Sequence, residues 1–300
     1  MLRKYEKNPI LKPRKEYSWE SKRVFNCAAV YEKGKVHIIY RAQGKDGISR
    51  LGYASSSDGF SIEERWDGPI FSPLNSFEAS GCEDPRITKI GESYYMAYTA
   101  FSGFGKRRWS IKGILAQVAV TSISVKDFLN HQWNWRQRIY PFLRVDSKDA
   151  VLFPKKFQGK YVLYHRIPPH IWLASSDNIE DWSASNHRIV MSPSENWEKV
   201  KIGASVPPIE TEKGWLLLYH GLDEKFIYRM GVALVDKENP AKISKFKKPI
   251  LEPTEKYEGK IIFPCGAVAK NGKLLVYYGA NDRVIGVAEA ELSELLSLFD

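Results

Sequence analysis

Val36-His37-Ile38-Ile39-Tyr40 is a short apolar run that closes on a tyrosine, and the chain repeats this pattern in Tyr94-Tyr95-Met96-Ala97-Tyr98, Tyr161-Val162-Leu163-Tyr164, Trp215-Leu216-Leu217-Leu218-Tyr219 and Leu274-Leu275-Val276-Tyr277-Tyr278. By subtraction the closing tyrosines lie 58, 66, 55 and 59 residues apart. After each run comes a second stretch rich in small residues: Gly52-Tyr53-Ala54-Ser55-Ser56, Ala116-Gln117-Val118-Ala119-Val120, Trp172-Leu173-Ala174-Ser175-Ser176, Gly231-Val232-Ala233-Leu234-Val235 and Gly286-Val287-Ala288-Glu289-Ala290. Proline-bracketed apolar pairs punctuate the copies. Pro9-Ile10-Leu11-Lys12-Pro13, Pro69-Ile70-Phe71-Ser72-Pro73 and Pro249-Ile250-Leu251-Glu252-Pro253 are near copies, with Ile139-Tyr140-Pro141 and Ile189-Val190-Met191-Ser192-Pro193 as looser ones. A fixed period of all-strand units is the mark of propeller blades. The expected fold is all-β, a five-bladed β-propeller.

The 300 residues would permit two domains on length alone. Blades stack around one axis and no linker-like segment divides them, so one domain over residues 1–300 is expected. The last dozen residues place Leu292, Leu295, Leu296 and Phe299 at helical spacing, which predicts a short C-terminal helix. That helix packs on the propeller or on a second copy in a homo-oligomer.

The N-terminal residues lack an apolar leader core, and no apolar stretch approaches the ~18 residues that span a bilayer. The expectation is a cytoplasmic protein with no membrane partner. Three cysteines, Cys27, Cys82 and Cys265, lack metal-ligand spacing, so neither a disulfide scaffold nor a metal site is expected. The formal charge of +10 is scattered. Its densest cluster, Lys106-Arg107-Arg108, sits beside Gly103 and Gly105 in an expected loop, and a solvated basic surface is favoured over nucleic-acid binding.

If the tyrosine-ended runs are the first, axis-lining strands of the blades, the polar groups just beyond them converge. These are Arg41, Thr99, His165-Arg166, His220 and the segment Gly279-Ala280-Asn281-Asp282. Several cations and a few carboxylates in one mouth suit a polyhydroxylated ligand that carries or accompanies phosphate. Gly81-Cys82-Glu83-Asp84-Pro85-Arg86 has two readings of equal weight: a turn in which Asp84 caps its own backbone before Pro85, or a positioned acid catalyst.

Together with Val151-Leu152-Phe153-Pro154, Tyr164-His165-Arg166, Lys201-Ile202-Gly203, Pro207-Pro208-Ile209, Gly214-Trp215-Leu216-Leu217-Leu218-Tyr219-His220-Gly221 and Tyr277-Tyr278-Gly279-Ala280-Asn281-Asp282, that segment resembles the signature blocks of glycoside hydrolase family 130. The blocks run in family order over nearly the whole chain. The family comprises β-mannoside phosphorylases and β-mannosidases on a five-bladed propeller. The resemblance implies that Asp84 is the catalytic acid, and that Lys148, Arg166, Lys201 and His220 hold inorganic phosphate as co-substrate, with no other cofactor. It further implies that Asn26, Arg41 and Asp282 bind the cleaved mannose, with Asp149 and Arg86 as weaker candidates. For Arg86 a structural ion pair with Glu83 or Asp84 is the favoured role.

The implied reaction is inverting phosphorolysis of a β-1,2- or β-1,4-manno-oligosaccharide to α-mannose 1-phosphate. Four departures bear on phosphate and acceptor contacts: Ile167 follows Arg166, Lys155 follows Phe153-Pro154, Ala204-Ser205-Val206 precedes Pro207-Pro208, and the Arg41 to Ser49 loop is short. The alternatives are a β-1,2-mannosidase, for which Glu210 and Glu258 lie in relevant blocks, and a carbohydrate-binding propeller without turnover.

Overall fold

Val36, Ile38, Ile39 and Tyr40 are each no more than 1% exposed, so both faces of this run are covered. A strand covered on both faces is an interior strand with a neighbour on each edge. The computed structural model, which describes residues 1–104, 114–143, 145–183 and 185–300, shows that arrangement in every copy.

The described residues form five antiparallel blades. An opening strand, β1 (Arg3–Lys4), is set aside for the last of them. Blade one holds β2 (Arg23–Glu32), β3 (Lys35–Gln43), β4 (Ser49–Ser56) and β5 (Glu64–Arg65), and blade two holds β6 (Gly81–Ile90), β7 (Ser93–Phe104) and β8 (Ile114–Ser124). Blade three holds β9 (Lys148–Leu152), β10 (Tyr161–Ile167), β11 (His170–Ser176) and β12 (Asn186–Met191). Blade four holds β13 (Lys201–Ala204), β14 (Ile209–Glu210), β15 (Trp215–Leu222), β16 (Tyr228–Val235) and β17 (Ile243–Lys245). Blade five holds β18 (Ile262–Lys270), β19 (Lys273–Ala280) and β20 (Val284–Glu291), completed by β1 pairing Arg3 with Glu289. The ring is thus closed by joining the two ends of the chain.

The tyrosine-ended runs are the second strands of the blades, not the first. Each pairs on its inner side with another strand: β3 with β2, β7 with β6, β10 with β9, β15 with β13, and β19 with β18. Those inner strands pack on one another around the axis, β18 on β2, β2 on β6, β6 on β9 and β9 on β13. The small-residue stretches are the third strands. The proline-bracketed pairs clip to them as outer edges, through Leu11 to Ile285, Phe71 to Leu51, Ile139 to Val120 and Leu251 to Met230. An edge is where a residue without an N–H is tolerated in a sheet.

The inner strands escaped the periodicity reading because they are bulged. Register slips leave Asn26 extra on β2, Asp84-Pro85 opposite Tyr98, Asp149-Ala150 opposite His165, and Cys265 extra on β18. Asn26, Asp84 and Asp149 all adopt left-handed backbone, with φ of 43°, 50° and 55°. A bulge breaks the two-residue alternation and re-aims one side chain. On β2, β6 and β9 the residues so re-aimed are Asn26, Asp84 and Asp149.

The second-strand tyrosines have a structural task. Each of four short turns ends on a fully buried glutamate: Glu20, Glu78, Glu198 and Glu258. Tyr40, Tyr98, Tyr219 and Tyr278 donate their hydroxyls to these glutamates in the same order. A cation completes each latch: Arg14 and Arg65 on Glu20, Arg138 on Glu78, Lys245 on Glu198 and Lys4 on Glu258. A buried carboxylate is tolerated only when paired in this way. Blade three differs, since Tyr164 donates to the Pro240 carbonyl.

The C-terminal helix α2, labelled after a short α1 (Val125–Leu129), spans Leu292–Leu296 and buries Leu295 and Leu296 against the blade four and five core that includes Leu2, Leu216 and Ala290. Cys27, Cys82 and Cys265 are free and buried. Among the described residues no helix is long and apolar enough to cross a membrane. The cluster Lys106-Arg107-Arg108 lies outside the described residues.

Candidate active site

The bulges on β2, β6 and β9 bring Asn26, Asp84 and Asp149 toward one axial mouth, and the ends of the second strands supply the cations. Asp84 is held there by side chains rather than by its own backbone. Its Oδ1 accepts from Asn26 Nδ2 and from Arg41 Nη1, both at 2.9 Å. The turn reading therefore fails, because the residue lies within β6 and its carboxylate faces blade one. Its other oxygen takes no hydrogen bond from the described residues. Burial pushes the Asp84 carboxyl up, but Arg41, Arg86 and Lys148 together outweigh it and hold the group below its ordinary range.

Arg41 is shared. Nη2 reaches Glu83 Oε1 at 2.6 Å and Nε reaches Ser49 Oγ at 2.9 Å, while its guanidinium lies over the Phe25 ring. Glu83 in turn meets Lys148 Nζ through Oε2 at 3.4 Å. Asp282, at a left-handed φ of 50° after β19, is half-buried, and burial followed by the charge of Asp84 raises its carboxyl. Asn26 is locked by close packing, since a Cβ at Gly279 would lie 2.0 Å from Asn26 Oδ1.

Across the mouth, Asp149 organises the second half. Arg166 Nη1 lies 2.6 Å from Asp149 Oδ2, an ion pair without the alignment of a hydrogen bond, and His220 Nε2 lies 3.4 Å from the same oxygen. Arg86 Nη2 takes Oδ1 at 3.3 Å. Burial opposes the charge on Asp149, yet Arg166 and His220 carry its carboxyl well below the ordinary range. Gly203 permits this crowding, because a Cβ there would sit 2.5 Å from both Asp149 Oδ2 and His220 Cε1. Arg166 Nε is buried without a hydrogen-bond partner among the described residues.

His220 is fully buried, bonded through Nδ1 to Ser205 Oγ at 3.0 Å. Burial, only partly offset by Asp149, drops it to about 4. It joins the cluster as a neutral imidazole, which corrects its expected place among the cations. Lys201 is lowered to about 8 by burial and by Arg166 and Lys148, so it remains mostly protonated at neutral pH. The charged set around this half of the mouth is Lys148, Arg166 and Lys201.

Two expected residues serve other ends. Arg86 is 1% exposed, and its nitrogens are taken by the Asp84 carbonyl at 2.5 Å, the Ser205 carbonyl at 3.2 Å and Asp149. It braces blades two, three and four from beneath, and its ion-pair partner is Asp149 rather than Glu83 or the Asp84 carboxylate. His165 turns away, bonded to Ser147 Oγ at 2.9 Å and to His187 at 3.1 Å. Glu83, Ser49, Ser205 and Tyr228 belong to the site but were not singled out. Tyr228 flanks His220, at 5.8 Å between ring centroids, and Lys201. Glu83 and Ser205 lay in quoted blocks without a role assigned to them; Ser49 and Tyr228 sit in strands with no chemical signature.

Glu210 is exposed on β14, and Glu258 is consumed by its latch with Tyr278 and Lys4, so neither lies in the mouth. Among the described residues no group of His, Cys, Asp and Glu is arranged to hold a metal ion.

A family model described as β-1,4-mannooligosaccharide phosphorylase matches residues 1–300. The chain belongs to glycoside hydrolase family 130. It is 41% identical to a 1,2-β-oligomannan phosphorylase of Thermoanaerobacter sp. (strain X514), covering 98% of each chain. It is 44% identical to a β-1,2-mannobiose phosphorylase of the same organism, covering 97% of each. Its fold matches that of the β-1,2-mannobiose phosphorylase from Listeria innocua in complex with β-1,2-mannobiose, with a TM-score of 0.81 and 26% identity over 99% of this chain and 98% of that one. The family-130 chain is thus an enzyme, and its fold is that family's five-bladed propeller.

Proposed function

We propose that the protein is an inverting β-mannoside phosphorylase that cleaves a β-1,2-linked manno-oligosaccharide with inorganic phosphate. One observation carries this: a carboxyl held by Asn26 and Arg41 faces, across a single mouth, the cations Lys148, Lys201 and Arg166, the last of them paired with Asp149. The β-1,2 linkage is supported by the two Thermoanaerobacter relatives, both named for it.

Phosphate is a dianion near neutral pH and needs no general base, only fixed cations that hold it in line with the anomeric carbon. Lys148, Arg166 and Lys201 supply that charge, and His220, with its ring nitrogens on Ser205 and beside Asp149 and Arg166, backs the phosphate site as a neutral group. Arg166 Nε, buried without a partner among the described residues, is suited to an anion oxygen. Asp84 gives its proton to the departing oxygen, the C1–O bond breaks, and a phosphate oxygen bonds to C1 from the opposite face. The product is α-mannose 1-phosphate. The local cations favour the ionised form of Asp84; a dianion seated among them cancels that field and favours the protonated acid.

In this reading Asn26, Arg41 and Asp282 bind the hydroxyls of the cleaved mannose. The site draws on all five blades, which supports residues 1–300 acting as one catalytic domain. Incubating the enzyme with α-mannose 1-phosphate and a panel of acceptors tests the reading: mannose or β-1,2-mannobiose as acceptor should release phosphate, and no release with any mannosyl acceptor would sink it.

A further inference from the structure

Glu83 stands between the two halves of the site. It is 5% exposed, accepts from Arg41 Nη2 at 2.6 Å through Oε1, and meets Lys148 Nζ at 3.4 Å through Oε2. Arg41 is the residue that holds Asp84, and Lys148 belongs to the cation cluster. We propose that Glu83 is a positioning residue that couples phosphate binding to the acid: it anchors Arg41 against Asp84 and holds Lys148 until an anion draws that ammonium away. The inference rests on the phosphorylase reading.

The physics is competition for one ammonium and one guanidinium. Lys148 can neutralise Glu83 or a phosphate oxygen, and its flexible stem permits the exchange. When it leaves, Glu83 becomes the stronger partner of Arg41, and Asp84 shares that guanidinium with a less compensated carboxylate. Proton affinity at Asp84 then rises when the nucleophile is in place. The charged and titratable groups acting on Asp84 are Arg41 from β3, Arg86 from β6, Lys148 from β9, Tyr228 from β16, Cys265 from β18 and Asp282 after β19. Asp282 opposes the cations, and Glu83 acts with it.

The test is Glu83→Gln, which keeps the shape and can still accept from Arg41. Losing the competing charge should lower the KM for phosphate several-fold, while kcat falls at least tenfold. It should also move the alkaline limb of the kcat/KM profile to lower pH by about one unit, because Asp84 loses a negative neighbour and gives up its proton more readily. Glu83→Asp keeps the charge and should return both the KM and the limb toward wild type. A KM for phosphate that is unchanged or raised, with an unmoved limb, overturns the proposal. If the Gln variant does not fold, Lys148→Met probes the same contact from the other side: its limb should move to higher pH, and an unmoved limb again overturns the coupling. Wild-type cleavage with and without phosphate is run alongside. Phosphate-independent wild type removes the phosphorylase reading, whereas phosphate-dependent wild type with a matching Gln variant removes only this inference.

Discussion

Arg41 Nη1 lies 2.9 Å from Asp84 Oδ1, a contact that crosses from the second strand of blade one to the inner strand of blade two. It fixes the carboxyl through one oxygen and leaves the other without a hydrogen bond among the described residues. Asp84→Asn keeps an oxygen for Arg41 and Asn26 but has no acidic proton. Turnover should fall by about 100-fold to 10,000-fold, the usual range for losing a general acid. Melting temperature and mannoside binding should change little. A folded variant with a large part of wild-type turnover would reduce Asp84 to a structural bulge residue.

Lys201 is the cleanest cation to remove, because among the described residues it forms no ion pair with a carboxylate, unlike Arg166 with Asp149 or Lys148 with Glu83. Lys201→Ala should raise the KM for phosphate by about 10- to 100-fold, the loss of one charge-assisted hydrogen bond. The KM for the mannoside should move far less. Steady-state kinetics with each substrate varied in turn distinguishes the two effects.

Stability should fall on mild acidification. His220 and His165 are buried and pulled below the ordinary imidazole value, to about 4 and about 3. The unfolded chain takes up protons near pH 6.5 while the folded chain does not, so stability is full above that value and declines as pH falls toward 4. The slope is about 1.4 kcal/mol per pH unit for each group. His165 lies off the mouth, so His165→Gln should flatten the decline in chemical denaturation between pH 6.5 and 4.5. An equal slope in the variant would contradict the assignment.

The glutamate latches should matter to folding and not to turnover. Tyr219→Phe leaves Glu198 with Lys245 but removes one buried hydrogen bond, a loss of about 1–3 kcal/mol. Glu198→Ala strands Lys245 and should cost about 3–5 kcal/mol. Denaturant unfolding measures both. In Tyr219→Phe the kinetic constants at low temperature should match wild type.

The blade count was legible because the second strands are interior, apolar and regular. Their place in the blade was not. The inner strands carry Asn26, Asp84-Pro85 and Asp149 at bulges with left-handed backbone, which in a sequence look like turns. Asp84 was therefore balanced between a turn and an acid. Arg166 and His220 were legible as groups just beyond the tyrosine-ended runs, Lys148 and Lys201 only through motif resemblance, and their division was hidden: nothing in the sequence says that Asp149 orders Arg166 and His220, or that burial discharges His220. The latches could have been found, since Trp19-Glu20, Phe77-Glu78, Trp197-Glu198 and Tyr257-Glu258 repeat an aromatic-glutamate pair. Those pairs fall outside the alternating runs, and cations such as Arg65 lie 45 residues away from their glutamate.

The central claim is that phosphate, not water, attacks the anomeric carbon. The direct measurement is proton and phosphorus NMR of β-1,2-mannobiose incubated with the enzyme, with and without inorganic phosphate. The account predicts α-mannose 1-phosphate and one equivalent of mannose when phosphate is present, and negligible cleavage when it is absent. Free mannose alone, released at the same rate in both samples, would contradict it.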